Sequence, residues 1–194
     1  MKYNIAILAS GSGTNAENIA RYFQNNPNLT ISVIVSNKSD AFVLERAKRL
    51  NIDYKVIKNK EWINKEEIIA FFEDYKIDFI VLAGYLLKIP AYLINKYPNK
   101  IINIHPALLP KFGGKGMYGD AVHKAVVEAE ETETGITIHY CNEHYDKGDI
   151  IFQTKCDVLP SDSYNDVANK VHALEYKYFP QVIANLLLNT DIVG

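Results

Sequence analysis

Cysteine is scarce in this sequence: only Cys141 and Cys156 occur among 194 residues. Two thiols are too few for the disulfide framework of a small secreted protein. The N-terminal residues also lack a small-residue cleavage site after a long apolar core, so they favour a first strand over a signal peptide. We therefore expect a cytoplasmic protein with free thiols.

Long apolar runs and an excess of basic charge are also missing. No apolar run reaches the roughly 18 residues that a membrane span needs. The net charge is −2 and the isoelectric point is about 6.2, so neither nucleic acid nor an anionic membrane is an expected partner. The chain has 48% hydrophobic residues and no repeat, linker or low-complexity tract. We expect one globular domain over residues 1–194.

Strand-like and helix-like patterns alternate through the first half of the chain. The predicted strands are 3–10, 29–36, 52–58, 78–84 and 100–105, and the predicted helices are 14–25, 41–50, 64–76 and 90–97. Asp40 is the predicted cap of the second helix. Continuous apolar strands that alternate with helices indicate a parallel sheet covered on both faces.

The pattern changes after residue 110. Four glycines in residues 111–120 predict a mobile loop, which leads into a helix over 120–129. Strands over 134–141 and 149–158, joined by a short turn, predict an antiparallel hairpin. In the amphipathic segment 161–188 the residues Val167, Val171, Leu174 and Tyr178 share a face, and Pro180 is expected to kink or split the helix. The predicted fold is α/β and Rossmann-like, with a mostly parallel central sheet, helices on both faces and an antiparallel C-terminal hairpin.

A glycine-rich loop, "ASGSGTNAE", follows the first predicted strand. Gly11, Gly13 and Ala16 match the dinucleotide pattern G-x-G-x-x-G/A. The second strand ends without the acid that would bind the ribose of NAD, and no Walker lysine is present. The small residues and polar groups of the loop, including Ser10, suit a terminal phosphate at a helix N-terminus. The alternative is a tight turn in which Thr14 only caps the helix.

Two polar side chains end the fifth predicted strand. Asn103 and His105 face one side of it, and the carboxyl ends of parallel strands form the ligand-binding edge of such a sheet. An amide donor beside an imidazole suits oxyanion stabilisation and proton transfer. The alternative is that Asn103 bonds a loop and His105 is an interior histidine whose hydrogen bonds are made within the protein. From these residues alone the two interpretations are equally open. Asp146 or Asp149 could raise the histidine pKa.

A metal site is not expected, because His139, Cys141 and His144 fit no common zinc spacing. His139 and Cys141 instead alternate with Tyr140 along a predicted strand. Asp146 and Asp149 also have an ordinary role in turn formation.

Several segments together resemble the 10-formyltetrahydrofolate-dependent formyltransferases, and within them the glycinamide ribonucleotide branch. The resemblance runs over nearly the whole chain. It is carried by "ASGSGTN", "VSNKSDAFVLERA", "DFIVLAGY", "NIHPALLPKF", "TGITIHYCNEHYDKGDIIFQ" and "LEYKYFP". The pairing of "N-x-H-P-x-L-L-P" with a later "D-x-G" is the most specific part. The resemblance implies transfer of a formyl group from 10-formyltetrahydrofolate to phosphoribosylglycinamide in purine biosynthesis.

The resemblance also implies roles for individual residues. Asn103, His105 and Asp146 would be catalytic, with Asp146 keeping His105 charged. The substrate would be held by Ser12, Gly13, Thr14, Asn15 and Glu175. The folate would be held by Tyr85, Leu86, Leu87, Lys88, Ile89, Asn142, Glu143, His144 and Tyr145, together with Asn103 and Asp146. No metal is implied, the partners are small molecules, and the protein would be a monomer or a homodimer.

Other activities remain open at this stage. Hydrolysis of formyltetrahydrofolate would use a similar trio with water as the acceptor. Formylation of methionyl-tRNA would call for an additional basic domain. The hypothesis of an NAD(P)-linked oxidoreductase is supported only by the glycine pattern. The hypothesis of a phosphate sensor would leave Asn103 and His105 without a role.

Overall fold

The structure, a computed structural model, describes residues 2–192. Strands and helices alternate over these residues. The strands are β1 (Tyr3–Leu8), β2 (Leu29–Ser36), β3 (Asp53–Val56), β4 (Phe79–Leu82), β5 (Ile101–His105), β6 (Glu133–Tyr140) and β7 (Ile150–Asp157). The helices are α1 (Thr14–Phe23), α2 (Phe42–Arg49), α3 (Lys65–Asp74), α4 (Ala91–Lys96), α5 (Asp120–Glu128) and α6 (Tyr164–Leu188), with a 3-10 helix at Asn59–Ile63.

The strands form a sheet in the order β3-β2-β1-β4-β5-β6-β7. Strand β1 pairs in parallel with β2 and β4, and β2 pairs in parallel with β3. Strands β6 and β7 pair antiparallel. Helices cover both faces. The predicted fold class, including the antiparallel hairpin, is therefore confirmed.

The described chain divides into two compact units between Ile102 and Asn103. In the first unit the core is built on fully buried strand residues such as Ile5, Ile7 and Ile34. In the second unit Ile138 of β6 is completely buried. Each unit thus has apolar strand residues removed from water, which is the main favourable term in folding.

Helix α2 begins differently from the sequence prediction. Its N-cap is Ala41, which has extended backbone angles and makes no side-chain cap. The prediction of Asp40 as the cap is wrong, because Asp40 lies one residue before the position from which a side chain can accept the helix's first N–H groups. The 3-10 helix before α3 was also not predicted.

Pro180 is predicted to kink or split helix α6, and the split is wrong, because the helix runs unbroken through this residue. Pro180 is buried, as are Val167 and Val171, whereas Leu174 and Tyr178 are only half-buried. Burial of the helix face outweighs the hydrogen bond that proline removes from a helix interior. Within residues 2–192 no helix is both long and apolar enough to cross a membrane.

Candidate active site

The glycine-rich loop leads directly from β1 into α1. Gly13 is the N-cap of α1, with a φ of 74°, and no side chain caps the helix. The alternative in which Thr14 serves only as a cap is therefore wrong, since Thr14 is the first helical residue. A helix start without a side-chain cap leaves backbone N–H groups for an anion.

Helix α2 packs against this loop. Its Val43 N–H donates to the Gly11 carbonyl at 3.1 Å, and Arg46 Nε donates to the Ser12 carbonyl at 2.7 Å. A Cβ on Gly13 would lie 2.3 Å from Val43 Cγ2. The glycine is therefore required by this close approach as well as by its left-handed backbone.

Ser10 has a structural role rather than the ligand role suggested by its place in the loop. It is 1% exposed. Its hydroxyl donates to Asn37 Oδ1 at 2.6 Å and accepts from the Leu86 N–H at 2.9 Å. Ser10 thus ties the end of β2 and the segment after β4 to the base of the glycine loop.

The segment 85–89 follows Gly84, which has a φ of 77°. Tyr85 and Ile89 are buried, and Leu86 is 37% exposed. Leu87 is half-buried and Lys88 is exposed. Burial raises the pKa of Tyr85 well above its ordinary value. The segment therefore presents an apolar surface beside one lysine.

Strand β5 ends in the predicted pair of polar side chains. Asn103 Nδ2 donates to His139 Nε2 at 3.2 Å. His105 is 3% exposed, and its Nε2 donates to the Phe112 carbonyl at 2.8 Å. Because a carbonyl can only accept, Nε2 carries the proton and Nδ1 holds the lone pair in the neutral ring.

Asp146 lies between two histidines. Its Oδ2 is 3.6 Å from His105 Nδ1, and its Oδ1 is 3.6 Å from His139 Nε2. Oδ2 also accepts from the Gly114 N–H at 2.8 Å. Asp149, the other candidate carboxylate, is exposed, and it is Asp146 that lies beside His105. The second unit therefore brings together Asn103, His105 and Asp146, as expected from the resemblance.

The electrostatics of the trio differ from the expectation that Asp146 holds His105 charged. Burial lowers the pKa of His105 below its ordinary value, and the opposing effects of Asp146 and the Phe112 carbonyl do not overcome it. Burial acts to raise the pKa of Asp146, but the nearby His139 ring and the hydrogen bond from the Gly114 N–H more than offset this and leave the pKa lowered. At neutral pH the pair is thus a carboxylate facing a neutral imidazole that can accept a proton.

His139 is a site residue that the sequence analysis weighed only as a zinc ligand. It is 2% exposed, and its Nδ1–H donates to its neighbour's carbonyl, Tyr140 O, at 2.9 Å. This bond fixes the tautomer, so Nε2 accepts from Asn103 and orients its amide. The alternation in "GITIHYC" already places His139 on the inner side of the strand with Thr137. That pattern was the available signal.

The turn between β6 and β7 carries the other proposed folate contacts. Asn142 Nδ2 donates to the Lys147 carbonyl at 2.9 Å, and Asn142 Oδ1 accepts from the His144 N–H at 2.8 Å. Glu143 and Tyr145 are exposed. The turn is therefore held by its own asparagine, which leaves the neighbouring side chains available to a ligand.

Glu175 lies on α6 and is 6% exposed. It belongs to the buried stripe of the helix, one turn after Val171 and one turn before Phe179. Buried carboxylates need polar partners, and a buried acid in an apolar stripe is an unusual feature of a structural helix. Among residues 2–192, no group of three or more His, Cys, Asp or Glu side chains is arranged to hold a metal ion.

Comparison with known proteins identifies the family. The formyl transferase family profile matches residues 3–183. The chain is 38% identical to phosphoribosylglycinamide formyltransferase of Haemophilus influenzae, covering 92% of this chain and 84% of that protein. It is 37% identical to the chloroplastic phosphoribosylglycinamide formyltransferase of Arabidopsis thaliana over 92% of this chain, and it spans 63% of that protein's length.

A solved structure gives the same result. Glycinamide ribonucleotide transformylase 1 from Geobacillus kaustophilus superposes with a TM-score of 0.87 and 32% identity, covering 96% of this chain and all of that one. The sequence match and the structural match both extend over nearly the whole length described. The chain belongs to the formyl transferase family.

Proposed function

We propose that this protein transfers the formyl group of 10-formyltetrahydrofolate to the primary amine of phosphoribosylglycinamide in purine biosynthesis. The observation that carries the proposal is the grouping of Asn103, His105 and Asp146 in a member of the formyl transferase family. Because the family profile spans residues 3–183 and so includes most of both compact units, the proposed enzyme uses the chain as one formyltransferase domain.

The phosphate of the substrate binds at the glycine loop, through Ser12, Gly13, Thr14 and Asn15. Support comes from the start of α1, which lacks a side-chain cap. The helix dipole and the N–H groups there favour a dianion. Glu175 binds the ribosyl-glycinamide part, where a buried carboxylate suits the substrate's amine and hydroxyl donors.

The folate binds against residues 85–89 and 142–146. Residues 85–89 offer apolar surface and residues 142–146 offer exposed polar groups, and a flat heterocycle with several hydrogen-bonding groups needs both kinds of contact. In this proposal 10-formyltetrahydrofolate is a co-substrate, and no metal takes part. Two free thiols and small-molecule partners agree with the cytoplasm as the compartment.

The mechanism begins with attack of the amine on the formyl carbon. The carbonyl oxygen becomes an oxyanion, and Asn103 donates to it the amide N–H that His139 leaves available. His105, neutral at rest, accepts the proton that the attacking nitrogen loses and delivers a proton to the departing N10. Asp146 stabilises the imidazolium while it carries that proton.

The test is an assay of folate release from 10-formyltetrahydrofolate with and without phosphoribosylglycinamide. We expect release only when the amine is present. Equal release without the amine would instead indicate a hydrolase. No release under either condition would contradict the proposal.

The trio is tested by Asn103→Ala, His105→Ala and Asp146→Asn. Each variant is expected to lose about a hundredfold or more in turnover, because loss of one oxyanion donor has an effect of this size. Asp149→Asn is the matched control, since this exposed carboxylate lies in the same turn. Wild-type turnover in any of the three variants, with the protein folded by circular dichroism, would remove that residue from the mechanism.

A further inference from the structure

Helix α2 contacts three consecutive residues of the glycine loop, and its contacts fix the direction of the loop's peptide groups. The Gly11 carbonyl accepts from the Val43 N–H, and the Ser12 carbonyl accepts from Arg46 Nε. In a trans peptide the carbonyl and the following N–H point in opposite directions. Since both carbonyls face α2, the N–H groups of Ser12 and Gly13 point away from it.

Two successive N–H groups that point to the same side form an anion-binding concavity. A peptide flip in this loop would turn a carbonyl toward the anion and remove a donor. Arg46 opposes such a flip at the Ser12–Gly13 peptide, and its side chain is only 21% exposed. This bond is therefore well placed to keep the concavity formed before a ligand arrives.

Arg46 also sets the charge near the loop. Its Nη1 pairs with Glu17, a carboxylate in the first turn of α1. Arg21 pairs with the same carboxylate at 2.7 Å. Hydrogen bonds from Arg21 and then Arg46 hold the pKa of Glu17 below its ordinary value. Arg21, Arg46 and Glu17 together carry a net charge of about +1. Without Arg46 this net charge falls to about zero. The substrate's phosphate ester would carry a charge of about −1.5 to −2.

We infer that Arg46 is a positioning residue for the substrate phosphate: it holds the Ser12 carbonyl outward and neutralises Glu17 without touching the substrate. The inference rests on the proposed function, because it assumes that the glycine loop binds phosphate. A guanidinium is suited to the role, since its planar fork serves two acceptors at once.

The experiment compares Arg46→Met with Arg49→Met. Both arginines lie on α2 and over the Phe42 ring, at 5.0 and 5.2 Å from its centroid, so both variants lose one charge and one cation–π contact. The hydrogen bonds from α2 to the loop given above come from Val43 and Arg46, and Arg49 takes no part in them. Each protein is assayed with phosphoribosylglycinamide and with its dephosphorylated analogue, glycinamide ribonucleoside, at saturating 10-formyltetrahydrofolate.

We expect Arg46→Met to lower kcat/KM about tenfold or more for the phosphorylated substrate, the size expected for lost charge-assisted contacts. With the dephosphorylated analogue its kcat/KM should stay within about twofold of wild type. Arg49→Met should resemble wild type with both substrates. Should Arg46→Met fail to fold, Arg46→Lys gives the same comparison, because lysine keeps the charge but has one nitrogen for two acceptors.

Equal losses in the Arg46 and Arg49 variants would overturn the inference. So would an equally large loss with the dephosphorylated analogue, which would indicate a general structural defect. A wild-type enzyme that does not distinguish the two substrates would overturn the phosphate site itself. A failure of the phosphate site can be told apart from a failure of the role of Arg46, because the wild-type enzyme alone tests the phosphate site.

Discussion

At the scale of single residues, the trio shows that burial and charge act against each other on one imidazole. Asp146 and the Phe112 carbonyl are both acceptors and favour a charged His105, yet burial lowers its pKa. When the reaction transfers a proton to this neutral histidine, the nearby carboxylate stabilises the imidazolium that forms. The site is therefore suited to moving a proton during the reaction rather than holding it beforehand.

The placement of Asn103 and His105 on one side of β5 was predictable, because residues two apart in a strand point to the same face. The choice of Asp146 over Asp149 was not predictable from spacing alone. It depends on the positive φ of 53° at Asp146 and on the fold of a turn that local pattern does not determine. His139 was missed as a positioning residue, because its hydrogen bond to Asn103 spans 36 residues of sequence.

His139→Ala tests the proposed orienting role of this residue. The change removes the acceptor of the Asn103 amide, so kcat is expected to fall about tenfold or more while KM changes little. Steady-state kinetics measure both constants. The double variant with Asn103→Ala should lose little beyond Asn103→Ala alone, since the two residues act as a unit. Additive losses would contradict the role, and His172→Ala, at an exposed histidine of α6, is the control.

At the scale of secondary structure elements, the type and order of strands and helices were predictable, whereas several of their ends were not. Strand β1 ends at Leu8 rather than at residue 10. Beyond it, the Ser10 N–H donates to the Gly84 carbonyl and its hydroxyl is used in side-chain bonds. Tertiary bonds of this kind decide where an element ends, and hydrophobic periodicity does not report them.

Gly148 determines the shape of the turn between β6 and β7. A Cβ at this position would lie 1.6 Å from the Tyr140 carbonyl oxygen, and that oxygen also fixes the His139 tautomer. The glycine of the D-x-G motif is therefore explained by close backbone approach.

Gly148→Ala is expected to destabilise the protein by about 2 kcal/mol or more, since backbone atoms must shift to admit the methyl group. Chemical denaturation measures the loss. Gly11→Ala is the control, because a Cβ there would have no heavy atom within 4 Å beyond its own residue and its two chain neighbours, and the position has no positive φ. Equal stability of the two variants would mean that the turn adjusts without cost.

At the scale of the whole molecule, buried histidines make stability depend on pH. His123 of α5 is 1% exposed, and burial followed by repulsion from His172 lowers its pKa to about 4. Asp120 raises and His105 lowers this pKa by smaller amounts. Below about pH 6.5 the unfolded chain binds a proton at this residue that the folded chain does not, so stability falls as the pH decreases from about 6.5 toward 4.

The loss attributable to His123 is about 3 kcal/mol over this range. His123→Gln should remove that part of the pH dependence, whatever its effect at neutral pH. Urea unfolding at pH 7.5 and pH 5 measures the difference. The same decrease in wild type and variant would show that other groups cause the acid sensitivity.

The two outer strands of the sheet also have a consequence for concentrated protein. Strand β3 exposes Asp53 and Lys55, and strand β7 exposes Lys155 and Asp157. A strand from a neighbouring molecule could add to either edge only by packing against these charges, which natural proteins use to discourage such pairing. The charges at both edges therefore disfavour strand-by-strand aggregation.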